Sequence, residues 1–132
     1  MTHDTLEIES GLTLKDWKTR VQWAKKKEWQ PTLEQAERGW TDTHGQVRAA
    51  WAERMDVTPT LPQIERGIRD KAAKVRLAWA KRNDYSPTLV QVRIGLTDPN
   101  EDVRAAWARR CDYACTPEIV DIVSADASVT VR

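Results

Sequence analysis

The sequence repeats with a fixed period of 28 residues over four successive units, and no gap is needed to align them. Positions that lie 28 residues apart are called equivalent below. Four sets of equivalent positions hold one residue type throughout: Trp23, Trp51, Trp79 and Trp107; Gly11, Gly39, Gly67 and Gly95; Arg20, Arg48, Arg76 and Arg104; Ala24, Ala52, Ala80 and Ala108. A fixed period of this length is typical of arrays in which one small structural unit packs on the next.

Each unit contains two predicted helices, and the first of them is called helix A. It begins at a capping box, Thr32-Leu-Glu-Gln35, in which the two polar side chains satisfy free backbone N–H groups of the first turn. Equivalent boxes begin at Thr60 and Thr88. Apolar residues at spacings of three and four predict one buried stripe, formed by Leu33, Ala36, Trp40, Leu61, Ile64, Ile68, Leu89, Val92 and Leu96. The equivalent glycines are expected to end helix A.

The second helix of each unit, helix B, is predicted to start at an aspartate that acts as its N-cap. These aspartates are Asp42, Asp70 and Asp98, and the helix is expected to run for about twelve residues. Its core stripe contains the equivalent valines, alanines and tryptophans, so the four equivalent tryptophans are expected to be buried. Trp17 and Trp29 lie outside that set and are predicted to be more exposed.

Two short helices cannot bury their apolar side alone, so the units must stack and share one core. The sequence therefore predicts an all-α protein, a right-handed α-solenoid of about four 28-residue two-helix repeats plus a partial fifth. Residues 1–10 are predicted to form an N-terminal extension and residues 11–132 a single helical-repeat domain. Its predicted repeats are 11–38, 39–66, 67–94, 95–122 and the partial 123–132.

Two motifs of the chain resemble known helical-repeat families. Asp42 and Arg48 are separated by five residues, with Val47 before the arginine, which is similar to the second helix of HEAT-like repeats. The segment 97–120 (TDPNEDVRAAWARRCDYACTPEIV) resembles the short bacterial leucine-rich-repeat-variant units still more closely, and the resemblance covers residues 11–132. It implies that each Asp and Arg of these motifs ties one repeat to the next. The cysteine-rich cluster-binding segment of one relative has no counterpart here, so no iron–sulfur role is carried over.

A second set of equivalent cations, Lys26, Arg54, Arg82 and Arg110, lies near the predicted ends of the B helices. Cations at that place complement the helix dipole and can reach solvent from the edge of the core. We therefore expect this set to serve structure rather than a partner.

Composition and motifs exclude several classes of function. Lys and Arg number 21 against 20 Asp and Glu, which argues against a histone-like protein or an acidic tail. No secretory signal or membrane-spanning run of about 18 apolar residues occurs, and a cytoplasmic location is predicted. His3 and His44 lack neighbours at ligand spacing, and Cys111 with Cys115 forms one weak pair, so no metal is expected. No nucleophile with a base, phosphate loop or carboxylate pair is visible, which predicts neither enzyme nor cofactor.

Residues opposite the core stripe of each B helix are the candidate binding surface. A helical wheel selects Lys18, Val21 and Lys25; Gln46, Ala49 and Glu53; Lys74, Leu77 and Lys81; and Asp102, Ala105 and Arg109. These twelve positions are called the B-helix face below. In HEAT-like solenoids the B helices line the concave surface, so the resemblance implies a shallow groove, and the twelve residues carry a net charge of +3. The candidates for partner contacts are Lys18, Lys25, Gln46, Glu53, Lys74, Leu77, Lys81, Asp102 and Arg109.

The hypothesis for function is a non-enzymatic binding module, an adaptor or inhibitor that docks a protein partner on the concave surface. One alternative is binding of a nucleic-acid backbone by the basic B-helix face, although Glu53 and Asp102 interrupt the positive charge that a phosphate track needs. Another alternative is a structural fragment of a longer array, because the chain stops at the arginine of a fifth unit. The partner's identity and the oligomeric state remain open.

Overall fold

The computed structural model describes residues 5–13, 15–110, 112–128 and 130–131. Within these ranges the regular secondary structure consists of nine α-helices and no strand, which confirms the predicted all-α class. The helices are α1 (Thr5–Thr13), α2 (Trp17–Lys25), α3 (Leu33–Trp40), α4 (Gly45–Ala52), α5 (Leu61–Gly67), α6 (Ala73–Lys81), α7 (Leu89–Leu96), α8 (Glu101–Ala108) and α9 (Pro117–Ser124). The predicted B helices are α2, α4, α6 and α8, and the predicted A helices are α3, α5, α7 and α9.

The B helices form a row in which each packs against the next, α2 on α4, α4 on α6 and α6 on α8. The A helices α3, α5 and α7 each pack on the B helix that follows, α1 packs on α2 in the same way, and α9 packs against α7. Ala50 and Ala52 of α4 are buried, as are Ala78 and Ala80 of α6. Such small side chains let neighbouring helix axes approach closely.

Helix A begins as predicted. The Thr32 N–H donates to Gln35 Oε1 at 2.9 Å, and the Gln35 N–H donates to Thr32 Oγ1 at 3.1 Å. Thr88 makes both equivalent hydrogen bonds. The predicted apolar stripe fails at its first position, however, because Leu33, Leu61 and Leu89 are exposed. Side chains of a helix point back toward its N-terminus, so the first helical residue projects past the end of the packed stripe.

Helix A ends at or beside the glycines, as predicted, and the glycines have a further role. α5 ends at Gly67, and α3 and α7 end one residue after Gly39 and Gly95; no glycine among the described residues has a positive φ. A Cβ atom at Gly39, Gly67 or Gly95 would overlap the indole ring of the tryptophan twelve residues later. Because glycine has no side chain, the buried rings of Trp51, Trp79 and Trp107 can pack directly against the backbone of helix A.

The B helices begin later than predicted and are shorter. Asp42 is not the N-cap of α4; that place belongs to His44, whose Nδ1 accepts a hydrogen bond from the Gln46 N–H. The same correction applies to Asp70 and Asp98, since the N-caps of α6 and α8 are Ala72 and Asn100, two residues after the predicted caps. The B helices have eight or nine residues instead of about twelve. Each aspartate carboxylate accepts a hydrogen bond from the backbone N–H of the residue two positions later, His44, Ala72 or Asn100, so it holds the turn before the helix instead of its first turn.

These aspartates receive an arginine from the preceding unit, 22 residues earlier. Arg48 donates through Nε and Nη2 to both carboxylate oxygens of Asp70, at 2.8 and 3.0 Å. The pairs formed in this way are Arg20–Asp42, Arg48–Asp70, Arg76–Asp98 and Arg104–Asp126. The two-pronged geometry is the strong form of this interaction. The tie between successive units that the resemblance implied is therefore present at these residues; Leu14 and Arg132, at the ends of the series, lie outside the described residues.

The second set of equivalent cations also binds helix C-termini. Its arginines donate to carbonyl groups at the end of the preceding B helix, not of their own helix. Arg82 Nη1 donates to the Ala52 and Arg54 carbonyl oxygens at 2.8 and 2.7 Å, and Nη2 donates to the Val57 carbonyl at 2.9 Å. The Arg82 side chain is buried and also pairs with Asp84. It does not reach out to solvent as predicted, because every direction of its guanidinium is taken by these acceptors.

The tryptophan prediction is correct for Trp51, Trp79 and Trp107, whereas Trp23 is half-buried. It is wrong for Trp29, which is only 7% exposed. The Trp29 ring packs edge-on against Trp23 and Trp51, and its Nε1–H donates to the Trp23 carbonyl oxygen at 3.2 Å. A residue outside the repeating set thus completes the core between two units.

Candidate functional site

The row of B helices places most of the B-helix face at the surface. All the charged and amide residues of this face are exposed, and these are Lys18, Lys25, Gln46, Glu53, Lys74, Lys81, Asp102 and Arg109. Val21 and Leu77, at the middle of α2 and α6, are half-buried. The prediction that Ala49 and Ala105 point away from the core is wrong, since they are 6% and 2% exposed. Neighbouring B helices approach closely enough to cover these small side chains.

A groove runs along the C-terminal ends of the B helices and has three sections. The first, between α2 and α4, encloses about 1050 Å³ and is lined by Lys25, Lys27, Trp29, Glu53 and Met55 among others. The second, between α4 and α6, adds Lys74, Leu77 and Lys81 to Glu53 and Met55. The third, between α6 and α8, is lined by Lys81, Asn83 and Arg109 among others. Because adjacent sections share residues, the groove is continuous across all four helices.

The groove brings together six of the nine candidate residues and leaves three out. The six are Lys25, Glu53, Lys74, Leu77, Lys81 and Arg109. Lys18, Gln46 and Asp102 are exposed on the first turns of their helices, away from the groove. Sequence reasoning missed Lys27, Met55 and Asn83, which are equivalent positions in the loops after the B helices. The sequence did hold a signal for them: each follows by two residues a candidate position at the end of a B helix, Lys25, Glu53 or Lys81.

The floor of the groove is built from groups whose hydrogen bonds are satisfied. Arg54 donates through Nη1 to the Ala24 and Lys26 carbonyl oxygens, at 2.7 and 2.6 Å. It also pairs with Asp56 at 2.6 Å, and the hydrogen bonds from Arg54 hold the pKa of that carboxyl below its usual range. These contacts fix the relative position of neighbouring B helices, so the floor is rigid and its cations are already neutralised.

Several charged side chains on the rim of the groove have no partner inside the molecule. Within the described ranges, the side chains of Lys25, Lys74, Lys81 and Glu53 form no ion pair or hydrogen bond with another residue. By contrast, several carboxylates of the A helices form ion pairs. Arg66 hydrogen-bonds Glu37 and lowers the pKa of its carboxyl, and three further pairs there are Arg38–Glu9, Arg69–Glu65 and Arg93–Glu118.

The described part of the chain offers no arrangement that would hold a metal ion. No three His, Cys, Asp or Glu side chains come together there in a group that could bind one. In the same ranges, no helix combines the length and the apolar character that crossing a membrane requires.

Comparisons of the chain with known proteins identify no family. No family model matches it, and no curated protein or solved structure does so either.

Proposed function

We propose that this chain is a small right-handed α-solenoid, of the HEAT-like and leucine-rich-repeat-variant kind, that works as a non-enzymatic binding module. It docks a protein partner on the B-helix face, as an adaptor or an inhibitor. Support for the solenoid comes from the 28-residue spacing, at which the glycine–tryptophan contacts and both sets of arginine hydrogen bonds recur.

The observation that carries the proposal is the contrast between paired and unpaired charges. The arginines between units are matched inside the molecule, and so are the A-helix carboxylates Glu37, Glu65 and Glu118. Lys25, Lys74, Lys81 and Glu53, on the groove rim, have no such partner among the described residues. A protein that supplies complementary charges to this rim gains rate and specificity of association.

The groove also has the form that a docking surface requires. Met55 is 46% exposed beside half-buried Leu77, so an apolar centre lies within a charged rim, as in many protein interfaces. The arginine hydrogen bonds beneath it hold the helices in place. A preorganised surface loses little conformational freedom on binding, which leaves more of the contact energy for affinity.

Nucleic-acid binding is the second candidate, favoured by the four lysines Lys25, Lys27, Lys74 and Lys81 around the groove. Glu53 lies in the two sections that these lysines flank. A phosphate backbone passing along the groove would meet this carboxylate, and repulsion there favours a protein partner.

The first experiment places a photo-crosslinking amino acid at Met55 and, as a control, at the exposed Val120 of α9. A partner captured at position 55 is purified, and its affinity for the chain is measured by calorimetry. The Lys74→Glu, Lys81→Glu double variant should weaken binding by about tenfold or more, because two attractive contacts become repulsive. An affinity unchanged by this variant would remove the groove from the interaction.

The second experiment titrates the chain with random duplex DNA at rising salt. Each phosphate that the protein neutralises contributes about −0.9 to the slope of log affinity against log salt. We expect weak binding even at low salt. Sub-micromolar, salt-sensitive binding would replace the protein partner with a nucleic acid.

A further inference from the structure

We infer that the B-helix face carries two equivalent docking patches, and that their occupant is an extended acidic segment of a protein with two apolar side chains about six residues apart. This inference rests on the proposed function and adds the chemistry and the spacing of the partner. It is carried by the arrangement of lysines and apolar residues on α2 and α6.

The two patches have the same composition. The first consists of Lys18, Val21 and Lys25 on α2, and the second of Lys74, Leu77 and Lys81 on α6. In each patch a half-buried apolar residue lies between two exposed lysines on one helical face. The patches are separated by twice the 28-residue period, so α2 and α6 present them at equivalent positions.

The helix between the patches has a different surface. At the equivalent positions α4 carries Gln46, Ala49 and Glu53, and Ala49 is buried between the neighbouring helices. This helix therefore offers neither an apolar contact nor a cation. The B-helix face consequently has two separate binding points rather than one continuous basic track.

The charges of the patches select an acidic occupant. Lys25, Lys74 and Lys81 have no ion pair within the described residues, and the Lys18 Nζ atom lies 5.8 Å from the centre of the Trp17 ring. Carboxylates on either side of a bound apolar side chain would pair with the lysines at the two ends of a patch. The apolar side chain itself would cover Leu77 and, from the loop after α4, Met55.

The distance between the patches sets the spacing in the partner. Packed helix axes lie about 8–10 Å apart, so α2 and α6 are separated by about 16–20 Å across α4. An extended chain advances about 3.3 Å per residue, and its side chains alternate between two faces. Two side chains that face the same surface are therefore an even number of residues apart, and about six residues fit the distance.

A helical partner fits these patches less well than an extended one. Lys74 and Lys81 are seven residues apart on α6, which separates their backbones by about 10 Å. A helix is about 10–12 Å wide with its side chains, so it would rest on the lysines instead of reaching Leu77. An extended chain passes between them.

The test uses the full chain and synthetic acidic peptides, with affinity measured by fluorescence anisotropy. One peptide has two leucines about six residues apart, and its isomer has the same composition with the leucines adjacent. Three double variants are compared: Lys18→Glu with Lys25→Glu, Lys74→Glu with Lys81→Glu, and Lys15→Glu with Lys71→Glu. The last pair changes two exposed lysines outside both patches and controls for net charge.

We expect the peptide with spaced leucines to bind about tenfold or more tightly than its isomer, because only it reaches both apolar centres. Each patch variant should reduce that affinity by a similar factor, and the control pair should not. Sensitivity to one patch alone would overturn the two-patch inference and leave docking in the groove intact. Equal affinity for the two isomers, or tighter binding of a single-stranded oligonucleotide, would also overturn it. Loss of crosslinking at Met55, by contrast, would count against the proposed function.

Discussion

Replacing Gly67 by alanine should destabilise the protein, although the same change inside a helix normally stabilises it. Alanine gains about 0.5–1 kcal/mol over glycine at an ordinary helical position. At Gly67 the added Cβ would overlap the ring of Trp79, which is 1% exposed. A closely packed core cannot absorb the displaced ring, and overpacking costs about 1–3 kcal/mol. The net expectation is a loss of about 1 kcal/mol in the free energy of unfolding, and of up to about 2.5 kcal/mol if the ring cannot move.

The assay is urea denaturation followed by circular dichroism. Gly45→Ala is the matched control, since a Cβ there would lie 3.5 Å from the Ala72 Cβ, an ordinary contact. The decisive variant combines Gly67→Ala with Trp79→Val, which removes the overlapping ring. In that background the alanine should no longer be destabilising. The reasoning is refuted if Gly67→Ala is as harmless as the control, or if its penalty persists without the ring.

Three further predictions concern helix caps and ion pairs. Ala72→Asn should raise the free energy of unfolding by about 1 kcal/mol, because α6 has no side-chain N-cap where α2, α4 and α8 each have one; an unchanged thermal midpoint would contradict this. Arg76→Ala should lower the thermal midpoint more than Arg109→Ala, because Arg76 donates to both oxygens of a carboxylate in the next unit, and the reverse order would disprove it. Hydrogen bonds from Arg66 lower the pKa of Glu37. The stability that this carboxylate contributes is therefore present above its ordinary, unfolded-state pKa and is lost as pH falls through the lowered folded pKa. Glu37→Gln should flatten that acid-side loss in pH-dependent denaturation, and an identical acid limb would count against the pair.

The sequence predicts well those features that depend on neighbours within one helix. The capping box at Thr32 forms as expected because its hydrogen bonds join residues three positions apart. The helical wheel also places Lys74, Leu77 and Lys81 on one face of α6, since only the helical period is involved. Burial of Trp79 follows from the same periodicity.

Parts of the candidate site depend on how closely helices approach, and sequence spacing carries no such distance. Ala49 has the same place on its helix as Leu77, yet it is buried, because its single methyl group does not project beyond the packed helices as the longer leucine does. Met55 joins the groove from a loop, where no helical period applies. Of the six candidates that line the groove, Lys25, Glu53, Lys81 and Arg109 lie at the C-terminal ends of their helices, whereas Lys74 and Leu77 reach it from the first turn and the middle of α6.

The sequence by itself determined that the chain forms paired helices with equivalent tryptophans in the core and lysines on the B-helix face. Local hydrogen bonding and the 3.6-residue helical period suffice for this, because both act within a single element. Three features were decided only by the tertiary structure. Arg82 binds carbonyl groups of the preceding B helix, Gly67 leaves space for the ring of Trp79, and Trp29 is buried. These contacts join residues of different helices or loops, and their geometry exists only once the helices have packed against one another.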